Sequence, residues 1–312
     1  MIRLGLCCLF REAPITFRRT TAKYLLSLPG AARAAHLASI CMDNADALYR
    51  ALTFCADNGI GAFRINSQIL PVKTHPDAGY DLNTLPEGDR IIARFKQCGE
   101  FSIQNGIRTS FHPDQFVVLS SPDAGVVKRS VAELEYQSQV AQWVAADVLN
   151  IHGGGGYGDK PTALKRLAAV IQKLSPDVKS RLTLENDDRV YTPADLLPVS
   201  TDTGIPLVYD VHHHRCLPDG KRVEDITKAA TSTWNREPLF HISSPLNGRE
   251  NGPCRPHHDF IDPGDFPDCW RNLDITVDVE AKAKELAVLK FRRWMESVDI
   301  ALLDPRREDR HA

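Results

Sequence analysis

Eight short apolar runs recur along this chain of 312 residues, and their regular spacing is the feature that most restricts how it can fold. Runs of this length that are rich in β-branched and aromatic residues, and that follow turn residues, are typical of buried strands. They span residues 3–9, 62–67, 109–112, 148–152, 182–185, 206–213, 239–243 and 275–280.

Segments with the apolar spacing of helices lie between most of these runs, for example residues 44–55 and residues 91–101. Three of the strands follow a glycine and an isoleucine, with the glycines at Gly59, Gly106 and Gly204. Glycine there is typical of a left-handed helix end that leads into a strand. About eight strand–helix units in succession favour parallel pairing and barrel closure.

We therefore predict an α/β fold, a single (β/α)8 TIM barrel. A doubly wound open sheet is the alternative, but no GxGxxG segment follows the first strand. We expect the barrel domain to occupy residues 1–300, and residues 301–312 to form a charged C-terminal tail.

The composition places the chain among ordinary globular proteins, with 43% hydrophobic and 25% charged residues. It contains no apolar run long enough to span a bilayer, and its start meets Arg3 and Gly5 too early for a signal peptide. The eight cysteines include no CxxC pair, so we expect reduced thiols in a cytoplasmic protein. The net charge of −2 gives no global sign of a nucleic-acid partner, yet it does not exclude a local basic cleft.

The predicted strands carry ionisable residues where they end, which is where α/β barrels place their chemistry. Strands three to eight each bring an imidazole or a carboxylate to the same rim. Burying so many such groups together is costly unless a cation balances them. The set consists of His112, His152, Glu185, Asp210, His213, His241 and Glu280.

Imidazole and carboxylate ligands without thiolates suit zinc, manganese or iron, and the number of ligands indicates two or three ions. Such clusters hydrolyse phosphodiesters by stabilising the attacking and leaving oxygens. Isomerisation of a sugar is the competing use. The number of histidines favours phosphate chemistry, but these residues alone leave both open.

The segments around these residues strongly resemble those of the UV damage endonuclease family, and they occur in the family's order. They are FRINS at 63–67, FHPDQFVVL at 111–119, NIHGG at 150–154, YGDK at 157–160, LENDD at 184–188, YDVHH at 209–213, HISSP at 241–245, HHDFI at 257–261 and EAKAKE at 280–285. The resemblance covers roughly residues 1 to 290.

The resemblance implies a TIM barrel related to endonuclease IV, with a manganese-containing cluster that cleaves DNA immediately 5′ to UV photoproducts. It implies that the seven residues at the strand ends bind metal, with Glu185 as the bridging carboxylate. His257 would be an eighth ligand or a phosphate contact. The catalytic residues would be Glu185, His257 and Glu280.

The resemblance also implies contacts with DNA. The family inserts a glutamine and an aromatic residue into the duplex opposite the flipped lesion, and these would be Gln115 and Phe116. Inserted side chains replace stacking that is lost when bases leave the helix. Arg64 and Lys160 lie beside motif residues, and we expect them to contact the DNA backbone.

Two positions depart from the family pattern. Leu6 stands where the family has a tyrosine near the lesion. Leu239 stands where it has a lysine near the metals, which puts a third metal site in doubt. Neither change removes a histidine or carboxylate of the main cluster.

We predict a DNA repair endonuclease that uses two or three divalent ions, with manganese favoured and zinc possible as a substitute. Its partner would be damaged double-stranded DNA, with no membrane and no obligate protein partner. Abasic sites are a second DNA substrate to consider. The alternatives are a sugar isomerase-like metalloenzyme on the same barrel and a catalytically silent protein that binds damaged DNA.

Overall fold

Eight parallel strands close into a barrel in the computed structural model, which describes residues 1–114, 116–249 and 253–305. Strands that are neighbours in sequence pair with each other, and the last strand closes on the first. The predicted TIM barrel is thereby confirmed. The strands are β1 (Ile2–Cys7), β2 (Ala62–Ile65), β3 (Arg108–Phe111), β4 (Ala146–His152), β5 (Leu182–Glu185), β6 (Leu207–Asp210), β7 (Leu239–Ile242) and β8 (Ile275–Val279).

Helices connect the strands and cover the outside of the barrel. Short 3-10 turns lie at Leu82–Thr84, Pro263–Asp265 and Asp268–Trp270. The α-helices are α1 (Ala22–Ser27), α2 (Gly30–Asp57), α3 (Gly88–Gln104), α4 (Ala124–Trp143), α5 (Lys160–Lys173), α6 (Pro176–Lys179), α7 (Pro193–Thr203), α8 (Val211–Cys216), α9 (Val223–Ser232) and α10 (Glu285–Ser297).

The glycines predicted to end helices adopt the left-handed conformation. Gly59, Gly106 and Gly204 have φ angles of 67°, 60° and 71° and follow α2, α3 and α7. Only glycine adopts this conformation without a steric penalty. These three turns therefore return the chain from the outer helices to the next strand, as the sequence indicates.

The sixth strand is shorter than predicted. It ends at Asp210, and residues 211–216 form α8 instead of continuing the strand. Asp210 causes the change, because its side chain accepts a hydrogen bond of 2.7 Å from the backbone N–H of His213 and so caps the new helix. His213 therefore reaches the rim from a helix and not from a strand.

An apolar layer fills the middle of the barrel and separates its two polar ends. Val148, Val208 and Leu239 pack together there, and Leu239 is 1% exposed. At the N-terminal end of the strands, Arg3 binds Glu237 at 3.0 Å. The leucine at the family's lysine position is thus a core residue in this chain.

The C-terminal residues that the structure describes contact the barrel. Leu302 forms an isolated bridge with Ile2 of β1, and Asp304 accepts a hydrogen bond of 2.9 Å from Arg292 of α10. Residues 306–312 lie outside the described part, so the boundary between a barrel of residues 1–300 and a tail of residues 301–312 stays a prediction. No described helix has the length and apolarity needed to cross a bilayer.

The capping box at the start of α7 makes a prediction about stability. Thr192 accepts a hydrogen bond from the N–H of Asp195, and the Asp195 carboxylate accepts one from the N–H of Thr192. We expect Thr192→Ala to lower the free energy of unfolding by roughly 0.5–2 kcal/mol, as measured by urea denaturation. Thr201→Ala, an exposed change in the same helix, is the matched control. Equal losses in both variants would contradict the role of the cap.

Candidate metal centre

The register of the barrel brings the predicted ligands together at the C-terminal ends of the strands. His152 lies beside Glu185 where β4 pairs with β5, and Asp210 lies beside His241 where β6 pairs with β7. Glu280 follows β8 directly. The structure thus places these side chains at one rim, as expected from the sequence.

Glu185 lies at the centre of this cluster and is completely buried. Its Oε2 is 2.9 Å from Nε2 of His112, and its Oε1 is 3.2 Å from Nδ1 of His241 and 3.4 Å from Nδ1 of His213. Asn150 of β4 donates a hydrogen bond to the same carboxylate. One carboxylate therefore contacts side chains from several strands and from α8.

Seven of the eight predicted ligands form three groups in which one nitrogen or oxygen from each member lies within 4.8 Å of the others. Glu185 belongs to two groups and so does Asp210, so the groups adjoin. This is the arrangement expected of neighbouring ions that share carboxylates. The groups are His112 with His152 and Glu185, Glu185 with Asp210 and His213, and Asp210 with His241 and Glu280.

Unsatisfied polar atoms in this cluster fit a cation. Nδ1 of His152 and Oδ2 of Asp210 are buried and make no hydrogen bond with the described residues. Buried polar atoms in proteins nearly always have a partner, so two such atoms beside Glu185 indicate a partner that the described part of the chain does not supply. The chemistry of the donors, imidazole and carboxylate, suits a divalent metal.

In three of the predicted histidine ligands, Nδ1 is held by an oxygen from a group that is not itself a predicted ligand. Nδ1 of His112 donates to the carbonyl of Pro113 at 3.2 Å, and Nδ1 of His213 donates to the carbonyl of Asn186 at 3.0 Å. Ser243 donates its own hydroxyl hydrogen to the carbonyl of Glu280, so its Oγ accepts from Nδ1 of His257 at 3.1 Å. In each neutral ring, Nε2 then keeps its lone pair for a metal.

His257 lies at the edge of the cluster and outside the three groups. Its Nδ1 is 4.0 Å from Oε2 of Glu280. Its side chain is 26% exposed, more than those of His112, His213 and Glu280. Its role, as a ligand or as a phosphate contact, stays a prediction.

Opposite charges set the ionisation of the cluster. Burial opposes ionisation of Glu185, but His241, His152 and His112 outweigh it and hold the pKa of that carboxyl well below its usual range. Burial also opposes protonation of His241, yet Glu185 and Glu280 raise the pKa of that imidazole to about 9. Without metal, the proton on His241 therefore helps to balance the buried carboxylates.

Arg64 neutralises Glu280. Its guanidinium lies 2.5 Å from Oε1 of Glu280, and both side chains are largely buried, with exposed fractions of 12% and 14%. Arg64, against burial, holds the pKa of Glu280 well below its usual range. Arg64 was predicted to contact DNA, and here its guanidinium binds a predicted metal ligand.

The other residues predicted to contact DNA lie in different surroundings. Phe116, in the loop after β3, is 76% exposed. Gln115 lies outside the described residues. Lys160, at the start of α5, binds Asp195 at 2.9 Å, so its charge is already paired. Their contacts with DNA stay predictions.

Two asparagines within the motifs NIHGG and LENDD support the cluster, although the sequence predicted no role for them. Asn150 donates to Glu185, and the side chain of Asn186 binds the backbone of Asp210 through both its oxygen and its nitrogen. The position of Asn150 could have been predicted, because it lies two residues before His152 and so on the same face of β4. Asn186 directly follows Glu185, and nothing in its spacing indicated its partner.

A disulfide joins α8 to the loop after β7, through Cys216 and Cys254. The expectation that all eight cysteines are reduced is wrong for this pair. The two residues are 38 positions apart, and only the folded chain brings them together. The bond connects the helix that carries His213 to the loop that carries His257.

The histidine protons predict how stability depends on pH when metal is absent. A histidine with a pKa of about 9 in the folded state and about 6.5 when unfolded stabilises the fold fully below about pH 6.5, and this contribution disappears as the pH rises through about 9. With a chelator present, we expect the free energy of unfolding to fall across this range. Urea denaturation at several pH values measures it.

His241→Gln is the comparison variant for this measurement, because glutamine cannot carry the proton. We expect its free energy of unfolding to fall less across the same range. An identical pH slope in the two proteins would contradict the assignment.

Comparisons with known proteins support a specific family. The family model described as UV-endonuclease UvdE matches residues 2–303. A UV DNA damage endonuclease of Bacillus velezensis is 33% identical over 299 residues, which cover 91% of this chain and 89% of that protein. One of Nostoc sp. is 34% identical over 303 residues, covering 93% of this chain and 89% of its own.

A solved structure has the same fold over nearly the whole chain. The crystal structure of SacUVDE superposes with a TM-score of 0.85 and 26% identity, covering 96% of this chain and all of that one. With the family model matching almost from end to end, this chain belongs to the UV-endonuclease family.

Proposed function

We propose that the protein is a metal-dependent DNA repair endonuclease that cuts damaged duplex DNA 5′ to UV photoproducts. Membership of the UV-endonuclease family supports the activity and the substrate. The observation that carries the metal dependence is the set of three adjoining ligand groups that share Glu185 and Asp210. We propose two or three ions, with manganese favoured, and a cytoplasmic location.

The proposed ligands are His112, His152, Glu185, Asp210, His213, His241, His257 and Glu280. Divalent ions bound there would lower the pKa of a water molecule and stabilise charge on the phosphate oxygens. The chain's own residues hold the geometry. Asn150 and Asn186 fix the carboxylate of Glu185 and the backbone of Asp210, and Arg64 orients Glu280.

We propose that Glu185, His257 and Glu280 are the catalytic residues. Glu185 would connect two ion sites, because both of its oxygens face histidines from different strands. His257 is the most exposed of the set, and its Nδ1 hydrogen is already donated to Ser243. The remaining nitrogen of a neutral His257 would contact a metal or its bound water. In the protonated form it would donate to a phosphate oxygen.

We propose that Phe116, together with Gln115, inserts into the duplex opposite the flipped lesion and stacks on the neighbouring bases. Exposing an apolar ring such as that of Phe116 to water is unfavourable in the free protein. Phe116 lies four residues after the predicted ligand His112. The loop after β4 exposes a second aromatic residue, Tyr157, at 48%. Aromatic rings on two neighbouring rim loops suit a substrate that presents stacked bases. Arg64 and Lys160 would add positive charge near the backbone only after releasing Glu280 and Asp195.

Cleavage of matched oligonucleotides tests the proposal. Purified protein with Mn²⁺ would be given UV-irradiated, abasic and undamaged duplexes, with EDTA in parallel. We expect a nick immediately 5′ to the photoproduct that EDTA abolishes. Cleavage of the abasic duplex alone would indicate that abasic sites, and not UV photoproducts, are the substrate. Metal binding without any nicking would contradict the proposed endonuclease activity.

Glu185→Gln tests the centre of the cluster in the same assay. We expect it to reduce nicking by more than about 100-fold, because even residues that only orient metal ligands are typically worth roughly 10–100-fold. Glu224→Gln, at an exposed position of α9, removes one carboxylate without touching the site. Normal nicking by Glu185→Gln would contradict the proposed centre.

Phe116→Ala tests the stacking contact. Loss of one base–aromatic stack, about 1–3 kcal/mol, should weaken binding to irradiated duplex by roughly 5–150-fold while leaving metal binding unchanged. Fluorescence anisotropy with labelled duplex measures the affinity. Ile103→Ala, an exposed apolar residue near the end of α3, is the matched control. Equal affinity of the Phe116 variant and wild type would contradict stacking.

A further inference from the structure

Asp278 is a buried acid inside the barrel for which the proposed chemistry has no role. It lies on β8 two residues before Glu280, so both side chains point to the inside of the barrel. It is 1% exposed, and neither of its carboxylate oxygens makes a hydrogen bond with the described residues. A fully buried carboxylate without a donor is rare, which indicates that a donor is missing or displaced.

The atom that faces Asp278 is also unsatisfied. Nε2 of His241 lies 3.7 Å from Oδ2 of Asp278 and makes no hydrogen bond with the part of the chain that the structure describes. The other ring nitrogen, Nδ1, faces the cluster, 3.2 Å from Glu185 and 3.4 Å from Glu280. His241 is therefore oriented oppositely to His112, whose Nε2 faces Glu185 and whose Nδ1 faces the carbonyl of Pro113.

The chemistry of imidazole connects these observations. A neutral ring carries one hydrogen, and a nitrogen that binds a metal cannot carry it. If Nδ1 of His241 binds metal, the hydrogen must be on Nε2, where Asp278 is the acceptor in reach. Metal-binding histidines commonly donate their other N–H to a carboxylate or a carbonyl, which fixes the ring and its tautomer.

We propose that Asp278 is a positioning residue that accepts the Nε2 hydrogen of His241 and thereby keeps Nδ1 available for the metal. This inference rests on the proposed metal centre. The separation of 3.7 Å exceeds a hydrogen bond, so the two side chains must approach by about half an ångström when the ring is bound. An uncharged carboxyl also has an acceptor oxygen, so the role does not depend on the ionisation of Asp278.

The barrel has room for this carboxylate because the facing position has no side chain. Gly5 of β1 pairs with Asp278, and a Cβ added at Gly5 would lie 2.0 Å from Oδ1 of Asp278. The carboxylate thus occupies the space that a residue at position 5 would otherwise fill. Burial raises the pKa of Asp278 above its ordinary value, and the positive guanidinium of Arg64, which binds Glu280, opposes part of that rise.

Two substitutions separate an acceptor from a mere space-filling residue. Asp278→Leu keeps the number of heavy atoms and the branching of the side chain but removes the acceptor, and Asp278→Asn keeps one acceptor oxygen. We expect the leucine variant to bind Mn²⁺ about 10–100-fold more weakly at this site, as measured by titration calorimetry, with the asparagine variant between it and wild type. Ser110→Ala, another buried position on the inner face, is the control and should bind Mn²⁺ normally.

A spectroscopic measurement on the unaltered protein tests the same point without relying on a variant that folds. Zinc-loaded wild-type protein is diamagnetic, so long-range ¹H–¹⁵N spectra report which nitrogen of His241 carries the hydrogen. We expect Nε2. A hydrogen on Nδ1, or wild-type Mn²⁺ affinity in a folded Asp278→Leu protein, would overturn the proposal. Wild-type protein that binds no divalent metal would overturn the metal centre itself along with it.

Discussion

The buried charge of Glu185 is the constraint on which the C-terminal end of the barrel depends. A carboxylate with no exposed surface is stable only where positive charge and hydrogen-bond donors surround it. This chain surrounds Glu185 with His112, His213 and His241 and adds the amide of Asn150. Without metal, protons on His213 and His241 supply positive charge, because the neighbouring carboxylates raise the pKa of both imidazoles against the effect of burial. Divalent ions would supply it directly, which explains why the same residues suit both states.

The register of the barrel strands determines which side chains surround the buried carboxylates, because it fixes which strand ends lie next to each other. Glu185 and Asp210 each lie beside a histidine of a neighbouring strand, and the apolar layer around Leu239 closes the barrel beneath them. Two further ionisable side chains, Arg64 and Asp278, are largely buried on the inner faces of β2 and β8. Arg64 faces Glu280, and Asp278 faces His241. Polar side chains inside the barrel thus contact the predicted ligands at its rim and orient them.

Much of this site could be predicted from sequence because it depends on two general rules, one for strand ends in barrels and one for glycine at helix ends. Strand ends in a parallel barrel share one rim, so His112, His152, Glu185, His241 and Glu280 could be placed together from their positions alone. The left-handed turns at Gly59, Gly106 and Gly204 followed from residue type.

The parts that sequence did not predict depend on contacts between distant segments. Asp210 caps α8 and so delivers His213 from a helix, although the apolar run suggested a longer strand. Arg64 was predicted to contact DNA, but the partner nearest to it, Glu280, is 216 positions away in sequence. The disulfide between Cys216 and Cys254 likewise forms only because the folded loop returns to α8.

The most direct test of this account is anomalous diffraction at the manganese absorption edge from crystals soaked in Mn²⁺. We predict strong peaks between the three ligand groups, with Glu185 contacting more than one ion and Nδ1 of His241 facing another. An absence of anomalous density at the C-terminal ends of the strands would contradict it.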